Sequence, residues 1–188
     1  MQRRFFLTGA LVVAPLLAAC APTPYANPLG REARAALRFS EVEVTTSGAA
    51  FESARAADYA SRLGPELRAE LRREFSDRLD PGGVRLAIEV QRVNVAGSTG
   101  TAFGRDQSRL SGAARVIDRE GRLLASYPIA VVAGEARETR LGALAAASVT
   151  SADRFYRALL SDFATTTRTE ILGADLPGAR LLRQVRGD

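Results

Sequence analysis

Cys20 is the only thiol in 188 residues, and it closes the apolar run "LVVAPLLAAC" at positions 11–20. A thiolate can attack a substrate, ligate a metal or pair in a disulfide, but a lone cysteine builds no disulfide or thiolate cluster within its own chain. The sequence contains no histidine, which removes Ser-His-Asp and Cys-His catalysis together with His-ligated zinc. The acids Asp106, Asp118, Glu135, Glu138 and Asp153 could supply a carboxylate pair for glycoside cleavage, a chemistry that needs no imidazole. Their spacing sets no two of them together, and Asp118 and Asp153 have structural roles available in a turn and at a helix start. No residue is assigned as catalytic, metal-binding or cofactor-binding, and the chain is expected not to be an enzyme.

The context of Cys20 suggests a different fate for its sulfur. Arg3 and Arg4 open a short basic segment, residues 7–19 are apolar or small, and small residues precede the cysteine, the three regions of an export signal. The run is too short to span a bilayer, which takes about 20 apolar residues, and it carries Thr8, Gly9 and Pro15. Leu17-Ala18-Ala19-Cys20 resembles the lipobox of bacterial lipoproteins. That resemblance implies a diacylglycerol on the Cys20 sulfur, cleavage before Cys20, and acylation of the new amino terminus. Each buried methylene contributes about 0.8 kcal/mol, so two or three chains hold a protein on a membrane where one does not.

Two features bear on the route and destination. Arg3-Arg4-Phe5-Phe6-Leu7 resembles the twin-arginine export pattern, and the restrained hydrophobicity of the run fits it. The alternative is a general secretory signal whose two charges only orient it. Ala21, rather than an aspartate, follows the cysteine, which by resemblance to enterobacterial lipoproteins implies sorting to the outer membrane, with the protein facing the periplasm.

With residues 1–19 removed, 169 remain, enough for one domain that buries about two-thirds of its unfolded surface. All 26 basic residues are arginine; two leave with the signal, so 24 face 21 acids, a net charge of +3. That mild excess is not a nucleic-acid footprint, and none is expected as a partner.

The elements follow from periodicity. Residues 20–37 read as the lipidated cysteine and a tether, since "APTPYANPLG" carries Pro22, Pro24 and Pro28. Extended, residues 21–37 would reach on the order of 50 Å. "LRFSEVEVTT" alternates as a first strand, with Phe39 out of phase with Val42 and Val44. Leu63, Leu67, Leu71, Phe75 and Leu79 recur every four residues as the apolar stripe of a helix that Pro65 must kink or start and "DPGG" ends. "VRLAIEVQRVNV" needs a bulge at Gln91-Arg92 to keep all its valines on one core. "SRLSGAARVID" and "RLLASYPIAVVAG" are strands joined by "DREG", with Gly121 at a left-handed position and Pro128 marking an edge or a bulge. "SADRFYRALLSDFATTTRTEILG" is a second helix, with Ser151 able to cap its start, buried on Tyr156, Leu159, Leu160, Phe163, Thr167 and Ile171 and stopped by Gly173.

The expected fold is therefore α+β, a roughly four-stranded, mostly antiparallel sheet with two helices on one face in the order β-α-β-β-β-α, spanning residues 38–173 with a tail at 174–188. The glycine-rich stretch "AGSTGTAFGRDQS" (96–108) has strand signals on both sides and no G-K-S/T, so it reads as a long hairpin connection rather than a phosphate cradle. Phe103 within it either folds back on its own sheet or inserts into a partner or a membrane. The element order and the V-x-D-x-x-G hairpin resemble small periplasmic lipoproteins, including auxiliary subunits of lipid-transport ABC systems. The lipobox, the missing histidine and free thiol and the single small domain point to a non-catalytic, membrane-anchored envelope protein acting through protein or lipid contacts, with a protein partner in the envelope and no cofactor, and the resemblance implies an accessory role in an envelope transport or assembly system. The competing expectations are a binding module holding an apolar ligand between sheet and helices, and an acid-pair hydrolase.

Overall fold

The computed structural model describes residues 27–96, 107–133 and 150–174. The elements are α1 (Arg31–Ala36), β1 (Phe39–Thr45), β2 (Ala50–Phe51), α2 (Ala54–Ala57), α3 (Ala60–Glu74), a 3-10 turn (Ser76–Arg78), β3 (Val84–Asn94), β4 (Ser108–Ile117), β5 (Leu123–Ala133) and α4 (Thr150–Leu172). The fold is α+β, as the residue pattern predicts.

The sheet runs β1-β3-β4-β5, with β2 extending the β1 side of β3. β3, β4 and β5 are antiparallel neighbours, whereas β1 and β2 pair with β3 in parallel. The sheet is thus mixed and five-stranded rather than mostly antiparallel and four-stranded. The reason is the connection: β1 returns to the sheet through α3, and a helical crossover brings the next strand back in the same direction. Two helices also become four, because α1 and α2 are single turns too short to show a period in sequence.

The irregularities fall where the residues require them. The β1–β3 register shifts between Phe39 and Glu41, which turns Phe39 inward beside Val42 and Val44 despite its phase. A second shift between Val90 and Arg92 leaves Gln91 and Arg92 exposed and returns Val93 to the core, as expected from the two valine phases. Opposite that bulge sits Gly112, where a Cβ would lie 2.4 Å from the Glu89 carbonyl oxygen; only glycine lets the two backbones approach this closely. Gly121 (φ 85°) makes the β4–β5 turn and Gly173 (φ 91°) ends α4, both in the left-handed region. Pro128 lies on β5, the edge strand, where its missing N–H costs least. Pro65 lies inside α3, which starts at Ala60.

α3 packs on β1, α4 packs on β5 and β4, and the two helices pack on each other. Leu63, Leu67, Leu71 and Phe75 from the first helix meet Tyr156, Leu159, Leu160, Phe163 and Ile171 from the second over Phe39, Leu86, Ile88, Leu110, Tyr127 and Ile129. Leu79, the last residue of the predicted stripe, falls beyond the helix and bridges to Phe39. The other face of the sheet carries cross-strand ion pairs, Arg85 with Glu43 at 3.7 Å and Arg115 with Glu89 at 2.7 Å. Exposed Leu124 and Val132 lie towards the β5 edge.

The chain is docked earlier than the 20–37 tether implies. The Asn27 amide donates to the carbonyls of Glu170 (2.6 Å) and Ile171 (3.3 Å), and its Oδ1 accepts from Leu29 N–H and the Tyr127 hydroxyl, both at 2.9 Å. One side chain thereby satisfies two orphan carbonyls at the end of α4 and the polar tip of a buried tyrosine. The docked part of the chain therefore begins no later than Asn27, inside the expected 20–37 tether.

Candidate functional site

The predicted export and anchor residues Arg3, Arg4, Leu17, Ala18, Ala19 and Cys20 lie outside the described residues, as do Phe103, Asp106, Glu135 and Glu138. The ends of the 96–108 stretch are described. Asn94 Nδ2 donates to the Gln107 carbonyl at 2.9 Å and Ala96 N–H to the buried Ser108 hydroxyl at 3.0 Å. Both ends belong to the antiparallel neighbours β3 and β4, and residues 97–106, the rest of the expected hairpin connection, lie outside the described residues.

Asp118 and Asp153, the two described members of the acid set, sit at opposite ends of the fold. Asp118 accepts from Arg122 N–H and Nε, both 2.7 Å, closing the β4–β5 turn. Partial burial works against its charge, yet the Arg122 hydrogen bonds outweigh that and hold the carboxyl below the usual range. Asp153 stands at the start of α4 beside α3. The described acids are not arranged as a hydrolytic pair.

Asp153 instead organises the most concentrated polar cluster at the far end of the helices. The Tyr59 hydroxyl donates to its Oδ1 at 2.8 Å and Arg62 Nη2 donates to the same oxygen at 3.0 Å. The Tyr59 and Tyr156 rings stack with centroids 4.1 Å apart and planes at 15°. The Arg62 guanidinium lies over both, 4.6 Å and 5.3 Å from the centroids, and pairs with Glu66 at 3.6 Å. Local helix geometry explains the convergence: Tyr59, Arg62 and Glu66 are spaced i, i+3 and i+7 along α3, and Asp153 and Tyr156 are spaced i, i+3 on α4.

The electrostatics of this cluster favour a clamp over a reactive centre. Burial, then the hydrogen bond to Asp153, push the Tyr59 hydroxyl up to about 12. Burial and then Glu66 push Tyr156 up as well. The Tyr59 hydrogen bond, assisted by Arg62, holds the Asp153 carboxyl low. At neutral pH the phenols stay protonated and the carboxylate stays charged, so the Tyr59–Asp153 hydrogen bond is kept across that range. Among the described residues, no group of three or more His, Cys, Asp and Glu side chains is placed to hold a metal ion.

The clamp has a pH signature. Because Tyr59 is raised in the fold, its contribution is full below the unfolded phenol value near 10 and is lost as pH rises from about 10 to about 12. Asp153, being lowered, contributes above the unfolded carboxyl value near 4 and loses that contribution as pH falls further. Tyr59→Phe should flatten both limbs of a melting-temperature profile against pH. An unchanged alkaline slope in that variant would show that the hydroxyl does not join the helices.

A second polar contact fastens the other end of the same helix pair. Arg168 on α4 is 4% exposed and donates from Nη1 and Nη2 to the two carboxylate oxygens of Asp77 at 2.8 and 2.9 Å, and from Nη1 to the Glu74 carbonyl at 3.0 Å. α3 and α4 are therefore parallel, latched by Tyr59–Asp153 at their N-terminal ends and by Asp77–Arg168 at their C-terminal ends. The residue pattern marks Asp153 only as a helix start and Tyr156 only as a core residue. The i, i+3 spacings are present in sequence, but nothing local shows that the two helices face each other in this register.

No family model matches the chain, and no curated protein matches it. Among solved structures, a protein from Caulobacter crescentus CB15, provisionally described as a lipoprotein, is 17% identical with a TM-score of 0.36, over 69% of this chain and 87% of that one. A likeness that distant carries no argument about this protein.

Proposed function

We propose that the protein is a membrane-anchored, non-catalytic lipoprotein of the bacterial cell envelope, held by lipid on Cys20, facing the periplasm, and acting through protein or lipid contacts as an accessory to an envelope transport or assembly system. The observation that carries this reading is the sole cysteine at the end of "LAAC", behind a basic start and a short apolar run. It is consistent with a described fold in which no helix is long and apolar enough to cross a membrane, so that a lipid would supply the anchor. Tyr127, Ile129, Leu63 and Phe163 occupy the space between sheet and helices, which favours a contact protein over a carrier of an apolar ligand. The sorting implied by Ala21 makes the outer membrane the proposed location.

Cys20→Ser tests the anchor. The variant is expected to lose incorporation of labelled palmitate and to leave the detergent phase or accumulate uncleaved. A variant that stays in that phase at wild-type mass would sink the proposal. The export route is tested separately by replacing Arg3 and Arg4 with lysines, which conserves charge but removes the guanidinium pair. If the twin-arginine machinery carries the protein, the double variant accumulates as cytoplasmic precursor. Normal export of that variant assigns the protein to the general secretory route.

A further inference from the structure

The fold sorts its parts to two ends. β3 is 11 residues long, about 35 Å of strand. At the end where it starts lie α1, the 3-10 turn, the β4–β5 turn and the end of α4; at the other lie the Tyr59–Asp153 clamp, Val95, Ala96 and Gln107. The N-terminal chain docks at the first end, through Asn27 on the last carbonyls of α4.

Only six residues lie between Cys20 and Asn27, and the seven steps reach about 22 Å in the extended form that Pro22 and Pro24 favour. α1 follows directly. None of its residues is buried, and Ala33, Ala35 and Ala36 are exposed beside Arg31. Residues 27–38 hold Arg31, Arg34 and Arg38 against the single acid Glu32. Among the described acids of this end, Asp77 and Glu74 face Arg168 and Asp118 and Glu120 face Arg122, while Asp80 accepts from Gly82 N–H, Glu170 lies in the last turn of α4 and exposed Glu41 lies near the start of β1 opposite Arg85.

We propose that this end of the domain rests on the anionic headgroups of the membrane that holds the anchor, with the exposed Arg31 and Arg38 as the contacting cations and the Tyr59–Asp153 end displayed away from the bilayer. The proposal rests on the reading of Cys20 as lipidated. The short tether confines α1 close to the surface, and the field of an anionic leaflet, which decays within about 10 Å at 0.1 M salt, then supplies the attraction. The arginine stems and small alanines let the helix approach the interface with Glu32 as its one acidic side chain.

The test uses the full chain, expressed with its own signal and checked for acylation of Cys20 by mass spectrometry. With Cys20 capped, Ala36→Cys or, as a control, Ser47→Cys provides a unique thiol for a fluorophore. The labelled protein is reconstituted into vesicles with nitroxide-labelled headgroups, made of phosphatidylcholine alone or with phosphatidylglycerol. Quenching at position 36 is expected to be several-fold greater in the anionic vesicles and to fall with added salt and in Arg31→Glu/Arg38→Glu. Position 47 should stay unquenched in both. Arg31→Glu alone changes an exposed side chain and should give part of the loss even where the double variant is loosened. Acylated protein quenched equally at position 36 in neutral and anionic vesicles, or not at all, overturns the docking and leaves the anchor standing. An unacylated Cys20 overturns the anchor and this proposal with it.

Discussion

Phe75→Ala is expected to cost about 4 kcal/mol of unfolding free energy, the range for emptying a fully buried aromatic site. The residue ends α3 and is completely buried. Its ring meets Phe39 of β1 edge to face, centroids 5.1 Å apart at 79°, and lies 5.6 Å from the Arg168 guanidinium of α4. Three elements far apart in sequence thus share one ring, and its removal leaves a cavity that none of them can close without shifting. The lost edge-to-face pair adds about 1 kcal/mol to the transfer and cavity cost. Urea unfolding followed by circular dichroism should show a lower midpoint with an unchanged slope. A loss below about 1 kcal/mol would mean that the helix–sheet junction repacks and that Phe75 does not hold it.

Arg168→Ala is the second large effect, expected at about 3 kcal/mol. The cost arises less from the attraction lost than from what remains: Asp77 loses its fork of two hydrogen bonds, and the Glu74 carbonyl loses its donor. Asp77 is 36% exposed on its side chain, so it can recover part of its hydration, which sets the effect at the low end for a broken buried pair. Arg168→Met keeps an apolar stem at this buried position and should fall between wild type and alanine. Asp77→Asn combined with Arg168→Met removes the charge that has lost its two short hydrogen bonds and faces Arg78 at 3.7 Å, and should recover stability relative to Arg168→Met alone. If the double variant is no more stable than the single, the guanidinium serves as packing and not as a partner to the carboxylate. The Phe75 and Arg168 changes share contacts, so their costs will not add.

Both effects lie at positions whose importance is unequally visible in sequence. Phe75 stands in the four-residue apolar repeat that begins at Leu63, and its burial follows from that repeat alone. Arg168 stands one residue after Thr167 in a polar run, "TTTRTE", where an arginine ordinarily faces water. What buries it is Asp77, 91 positions earlier, and no local pattern encodes a separation of that size. The same division holds at the clamp. Tyr156 belongs to the buried face of α4 by its spacing, but its stacking on Tyr59, and the arginine over both rings, exist only because α3 and α4 lie side by side and parallel.

By itself the sequence determines the chemistry excluded by the lack of histidine and the single cysteine, the α+β class, and most of the boundaries between elements. It also determines the bulge at Gln91-Arg92 and the left-handed glycines at 121 and 173, and narrows Pro128 to an edge or a bulge. These depend on near neighbours: side-chain period, backbone freedom, the missing proline N–H. The tertiary structure alone decides that β1 lies parallel to β3, that Asn27 ends the tether by capping α4, and that Asp77 and Asp153 latch the two ends of one helix pair. Each of these depends on which distant surfaces meet, and that is set by burying the whole apolar face of the sheet at once rather than by any segment's own preference.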